Sequence, residues 1–207
     1  ELGCCGVLAR VQTSGRGQGT NRWEAAAGEG LCFSARVPLP ELALGLVLQR
    51  AMMATAEALR PWCAELGLKW PNDLVVHHRG QLRKLGGVIG EVRGGTVLLG
   101  LGVNLAGAPE LAERPIPPVS LRELTGGPLP EPEALARELL TRWQRLTEVR
   151  SPAFLWPAGG TDIQWEAGTG RCLGWEPDGR LRVEREGKVH LLTSGDLRGI
   201  SPSVVKN

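Results

Sequence analysis

The feature that most limits what this chain can fold into is the run LALGLVLQRAMMATAEAL, Leu42 to Leu59, apolar on nearly every side. Gln49 and Arg50 interrupt it, and it falls short of the ~20 consecutive apolar residues that a membrane span needs. A helix apolar nearly all round must be covered on most of its surface, so it is expected to lie across a sheet inside a globular domain. The rest of the sequence supplies such a sheet. Apolar runs at Leu2 to Val11, Leu31 to Val37, Leu66 to Trp70, Leu74 to Val76, Leu85 to Val92 and Val97 to Leu105 are each bounded by Gly, Pro, Asn or Asp, as strands are. Together they predict one mixed or antiparallel sheet packed by helices, an α+β fold.

A second helix is expected over Glu133 to Arg150, where Leu135, Leu139, Trp143 and Leu146 recur at helical spacing. Acids stand at its start and Arg142, Arg145 and Arg150 toward its end, which suits the helix dipole. Ala106 to Pro118, rich in Pro and Ala, is expected to be a long loop, either disordered or closing over a site. Ser151 to Gly160 reads as a linker. Beyond it, turns at Pro177-Asp178-Gly179 and Glu186-Gly187 separate short strands, with Leu181, Val183, Val189 and Leu191 expected on one face. That is a small β-barrel of roughly fifty residues, near the lower size limit for independent folding. The expected division is residues 1–159 and 160–207.

Composition narrows the function classes only in part. A formal charge of +2 is too small to predict a nucleic-acid or membrane surface, so charge says little about partners. The five cysteines have neither metal-ligand spacing nor the even framework of a secreted scaffold, so reduced thiols in a cytoplasm are the simplest account. No dinucleotide fingerprint or GxxxxGK[ST] loop occurs, and His77, His78 and His190 lack ligand-like company; no metal-binding residue is expected. No Ser-His-Asp or Cys-His set is visible, which leaves electrostatic handling of an anion.

Four stretches fit that chemistry. In RVQTSGRGQGTNRW, Arg10 to Trp23, Gly15, Gly17 and Gly19 let backbone N–H groups approach a ligand, while Arg16 offers a planar fork for phosphate or carboxylate; a solvated turn is the plainer reading. In KWPND, Pro71 denies the chain a ladder donor, so a strand must end there with Asn72 and Asp73 in a polar turn and Lys69 at the strand end. In RKLGGVIGE, Lys84 heads a strand in which Gly86 and Gly87 bare the backbone, either an anion seat or an edge-strand lysine before a bulge. In LGLGVNL, a buried Asn104 is expensive unless paired with backbone or with a ligand base.

The order QTSGRG…W, KWPND, KLGGVIGE, GLGVNL and a closing segment with SGDL (Ser194 to Leu197) resembles the biotin protein ligase family over essentially the whole chain. The resemblance implies a class II synthetase-like catalytic domain followed by an SH3-like barrel. It implies an enzyme that joins biotin to AMP from Mg-ATP and passes biotin to a lysine of a biotin carboxyl carrier protein. Lys84 and Arg16 would be the catalytic cations, with Lys84 bridging the biotin carboxylate and the α-phosphate. Gln12, Gly15, Arg16, Gly17, Gln18, Lys84 and Gly87 would line the biotin pocket. Arg22, Trp23, Lys69, Asn72, Asp73 and Asn104 would serve the nucleotide, enclosed by the loop after Asn104.

Two departures stand out. Many members carry a second arginine directly after Gly-Arg-Gly, where this chain has Gln18. The family's Ser-Thr-Asn segment, which hydrogen-bonds biotin, has no counterpart here, so either the chain is trimmed or part of the pocket is missing. With no winged-helix segment in view, the resemblance implies the monofunctional type, cytoplasmic, with a homodimer plausible. The rivals are a lipoate ligase or octanoyltransferase of the same superfamily, and a non-catalytic biotin- or nucleic-acid-binding module.

Overall fold

The computed structural model describes residues 5–38, 43–110, 114–146 and 152–199. The expected starts at Leu2 and Leu42, the expected helix end at Arg150, residue 151, part of the 106–118 loop and residues 200–207 fall outside them. In chain order come β1 (Cys5–Ala9), β2 (Gly30–Pro38), α1 (Leu44–Leu59), β3 (Gly67–Lys69), β4 (Asp73–His78), β5 (Gln81–Arg93), β6 (Thr96–Asn104), α2 (Leu121–Thr125), α3 (Pro132–Gln144) and β7 (Leu155–Trp156). Their strands form one sheet in the order β1-β2-β6-β5-β4-β3-β7. Every neighbouring pair is antiparallel except β3 with β7, which is parallel, so the sheet is mixed.

Period-two alternation decides which face the helices cover. Leu31, Phe33, Ala35 and Val37 of β2 and Val97, Leu99, Leu101 and Val103 of β6 are buried in the main core. Val47, Ala51, Met52, Ala54, Ala58 and Leu59 of α1 are buried in the same core. Each fully buried aliphatic side chain contributes about 1.5–3 kcal/mol. The α3 helix lies beside α1. Trp143 there is 1% exposed, yet its indole N–H finds the Ala51 carbonyl at 3.2 Å and Thr55 Oγ1 at 3.3 Å, so the buried indole keeps its donor paired.

Two expectations need correcting in this part. The segment read as a linker is tied to the sheet: Trp70 N–H donates to the Trp156 carbonyl at 2.8 Å and Leu68 N–H to the Phe154 carbonyl at 3.0 Å. The outer edge of β3 would otherwise leave those buried donors unpaired. The helix α2 was not foreseen. Its sequence signal is Ser120-x-x-Glu123, where the Ser120 hydroxyl accepts the Glu123 N–H at 3.2 Å, and Gly126 closes the helix at φ +62°.

A smaller second sheet follows, made of β8 (Asp162–Trp165), β9 (Gly168–Trp175), β10 (Leu181–Arg185), β11 (Lys188–Leu192) and β12 (Arg198–Gly199), in the order β11-β10-β9-β8-β12. All its pairs are antiparallel. Leu181 and Val183 are buried as expected, but Val189 and Leu191 are 58% and 43% exposed. The two-residue turn at Glu186 and Gly187 pairs Arg185 with Lys188, which sets Val189 opposite Glu184 and Leu191 opposite Arg182 on the outer face. The largest piece of this second core comes from the first sheet's turn: Trp70 is 1% exposed among Ile163, Cys172, Leu181, Val183 and Leu197, its indole N–H donating to the Gly179 carbonyl at 3.0 Å.

Candidate functional site

The residues with chemical potential gather on the face of the large sheet turned away from α1, at one end of β4, β5 and β6. A fault in strand pairing builds it. Leu74 pairs with Gly86 and Val75 with Lys84, so Leu85 is an extra residue in β5. Without that bulge Lys84 would point into the core; with it, Leu85 takes the core position and Lys84 shares a face with Gly87. A Cβ on Gly87 would stand 3.7 Å from Lys84 Cε, 3.1 Å from the Asn72 carbonyl and 3.3 Å from Asp73 Oδ1. Lys84 thus lies within β5 and does not head it, a correction to the expected boundary.

Pro71 ends β3 as expected, and the turn it starts returns Asp73 to the head of β4. The Asn72 carbonyl accepts the Val88 N–H at 2.9 Å, pinning the turn against β5. Asp73 Oδ1 holds Lys84 Nζ at 2.5 Å, while Asp73 Oδ2 is 3.7 Å from Lys69 Nζ. Lys69 is 5% exposed and also lies 3.8 Å from Asp196 of the second sheet's last loop and 5.5 Å from the Trp156 ring centre. The segment before α2 straps the group: Lys84 N–H donates to the Pro117 carbonyl and Val119 N–H to the Lys84 carbonyl, both at 2.9 Å. Asn104, 2% exposed, gives its Nδ2 to the Val119 carbonyl at 3.1 Å, and its Oδ1 is buried with no hydrogen-bond partner among the described residues. A ligand donor would satisfy it.

The glycine-arginine segment is a small hairpin lying over this face. Gly17 N–H donates to the Asn21 carbonyl at 2.8 Å, Asn21 N–H to the Gln18 carbonyl at 3.1 Å, and Trp23 N–H to the Gly15 carbonyl at 3.1 Å. Gly15 is buried close to Gln12 Oε1 and the Trp23 carbonyl, a contact that any Cβ would break. Trp23 lays its indole on Gly102, which pairs with Gly87 across the strands. Burial pushes the Cys32 thiol up, with the Trp23 indole beside it acting the other way.

Two groups of expected residues therefore emerge. Lys69, Asn72, Asp73, Lys84, Gly87 and Asn104 come together, with Trp23 at their margin. Gln12, Gly15, Arg16, Gly17, Gln18 and Arg22 form the hairpin. Arg16 does not meet Lys84: its guanidinium, 73% exposed, lies 3.8 Å from Glu91, seven residues further along β5. Sequence reasoning passed over Asp196, Trp156 and Cys32, whereas the strap at 117–119 lies at the end of the Ala106 to Pro118 loop that was expected either to be disordered or to close over a site. Of the residues passed over, only Asp196 gave a signal, inside SGDL. An open cleft of about 590 Å³ is lined by Leu82, Arg114, Ile116, Trp156, Leu197 and Arg198 and by none of the Lys84 group. Arg114 also reaches Asn21 of the hairpin at 3.5 Å.

The chain is thus an α+β domain whose glycine-floored sheet face carries an ammonium on a single carboxylate and a buried amide with an unpaired oxygen. The comparisons narrow the class. The model of the biotin/lipoate A/B protein ligase family matches residues 6–107. A biotin-(acetyl-CoA-carboxylase) ligase of Mycobacterium tuberculosis is 30% identical, the match covering 92% of this chain and 77% of that one. Its counterpart in Paracoccus denitrificans is 36% identical over 69% of this chain and 63% of its own length. Among solved structures, the biotin protein ligase from Aquifex aeolicus in complex with biotin and ATP superposes with a TM-score of 0.76 at 22% identity, covering 94% of this chain and 89% of that one. The chain belongs to the biotin protein ligase family.

Proposed function

We propose that this chain activates biotin with ATP to biotinyl-5′-AMP and then transfers biotin to a lysine of a biotin carboxyl carrier protein. In the first step a biotin carboxylate oxygen attacks the α-phosphorus and pyrophosphate leaves. In the second the carrier amine attacks the acyl carbon, AMP leaves with the bridging oxygen, and the amine proton passes to solvent. The observation that carries this reading is Lys84 Nζ, brought by the β5 bulge to a glycine-bared face on which Asn104 also turns an unpaired Oδ1. An ammonium there can hold two mutually repelling anions together and stabilise charge as the phosphorus becomes pentacoordinate.

On this reading Gln12, Gly15, Arg16, Gly17, Gln18 and Gly87 serve biotin, Arg22, Trp23, Asn72, Asp73 and Asn104 serve the nucleotide, and Lys69 stands behind Asp73 on the nucleotide side. Arg16 must leave Glu91 for this, which an exposed pair worth about 0–1 kcal/mol permits. No three carboxylate, imidazole or thiol groups gather as a metal cage among the described residues. Mg²⁺ would thus enter with the ATP phosphates. Residues 1–159 form the catalytic unit and 160–207 an SH3-like barrel. No helix of the described residues is long and apolar enough to cross a membrane; a cytoplasmic location and a homodimer belong to the proposal, the latter checked by light scattering.

The test is mass spectrometry of a carrier domain after incubation with the protein, biotin and Mg-ATP. Addition of one biotin to the carrier lysine is expected. Calorimetry separates the superfamily rival: heat with lipoate or octanoate and none with biotin would overturn the assignment.

A further inference from the structure

Lys69 is placed oddly for a nucleotide ligand. Its side chain is 6% exposed, so an incoming phosphate cannot reach it without rearrangement. Across the strands it is paired with Asp73 on one side and Trp156 on the other. Its ammonium sits 3.7 Å from Asp73 Oδ2 and 3.8 Å from Asp196 Oδ1, beyond hydrogen-bond length, with the Trp156 ring at 5.5 Å. The other oxygen of Asp73 holds Lys84 at 2.5 Å. One carboxylate therefore serves two ammonium groups, tightly on the Lys84 side and loosely on the Lys69 side.

That asymmetry has a physical meaning for Lys84. An ammonium held closely by a carboxylate is a poor partner for other anions until the carboxylate yields it, and with the Asp73 side chain 14% and Lys84 33% exposed, water only partly weakens the grip. A second fixed cation behind the same carboxylate draws off part of its charge. We propose that Lys69 is a positioning residue that neutralises Asp73 from behind, so that Lys84 can be released to the ligand's anions, with Trp156 of β7 and Asp196 of the second sheet's last loop flanking Lys69. The inference rests on the assignment of Lys84 as the biotin-side cation, and it gives Lys69 a role other than touching nucleotide.

The test is calorimetric binding of biotin and of biotinol, which has the same ring system and chain but no carboxylate. Lys69→Met is expected to weaken biotin about tenfold and biotinol less than about twofold, because only the anion needs Lys84 released. Lys69→Arg should recover most of the biotin affinity, and in an Asp73→Asn background Lys69→Met should have no further effect. Should Lys69→Met fail to fold, Lys69→Gln, uncharged but still able to donate to both carboxylates, replaces it. Equal losses for biotin and biotinol, or an undiminished effect in the Asp73→Asn background, overturn the proposal and point to simple structural support. A wild-type protein that binds no biotin overturns the ligase assignment itself, a result distinct from both.

Discussion

The Lys84 group and the Arg16 hairpin are two halves of one candidate site, built in opposite ways. Asn104 is 2% exposed, the Asp73 side chain 14% and Lys84 33%, and the members of the Lys84 group are fixed by strand register, by the strap before α2 or, for Asn72, by the turn bonded to Val88. The Arg16 side chain is 73% exposed and its described ion-pair partner is a single carboxylate at 3.8 Å. The difference teaches where the fold has invested its rigidity. Groups that stabilise developing charge gain from being fixed before the ligand arrives, whereas groups that enclose a ligand must first let it in.

Lys84→Ala strikes the rigid half and should have the largest effect, lowering the rate of biotinyl-adenylate formation by about 10²–10³ or more. Circular dichroism and the melting temperature should stay near wild type, since Leu85 and not Lys84 fills the core. Gly102→Val attacks the seam between the halves. Its side chain would occupy the space of the Trp23 indole, so we expect roughly tenfold weaker adenylate binding and about 1–3 kcal/mol lost stability by denaturant titration. Arg16→Ala should raise the dissociation rate of biotinyl-AMP by up to about tenfold with an unchanged melting temperature, because the exposed pair it breaks contributes little. A large drop in melting temperature would mean that the hairpin is structural. Gln18→Arg should have the smallest effect, a few-fold slower release of biotinyl-AMP from the added charge; unchanged or faster release would remove that position from the phosphate side.

Much of the fold is legible because alternation and helical spacing are local properties. The buried sets of β2 and β6, the length of α1 and the strand stop at Pro71 follow from residues next to one another. What escaped depends on partners far away in sequence. The pairing of Trp156 with β3 and the outward turn of Val189 and Leu191 are set by register, which composition does not state. The candidate site divides in the same way. Asn104 announces itself as a polar residue in an apolar strand, Asp73 by the Pro-Asn-Asp turn and Lys84 by the bare glycines after it, whereas the bulge that turns Lys84 onto the working face is a pairing event between two strands. Asp196 was visible only as part of a motif, with nothing nearby to say that it would face Lys69.

Trp70 has a consequence for anyone who would treat the two sheets as interchangeable modules. The indole that completes the smaller sheet's interior is encoded about ninety residues upstream, inside the same five-residue string that carries Lys69 and Asp73. A chain cut after Gly159 would present a bare aromatic surface beside its own reactive turn, and the excised strands would close on a hole. Transplanting or shuffling either half means carrying KWPND along with it.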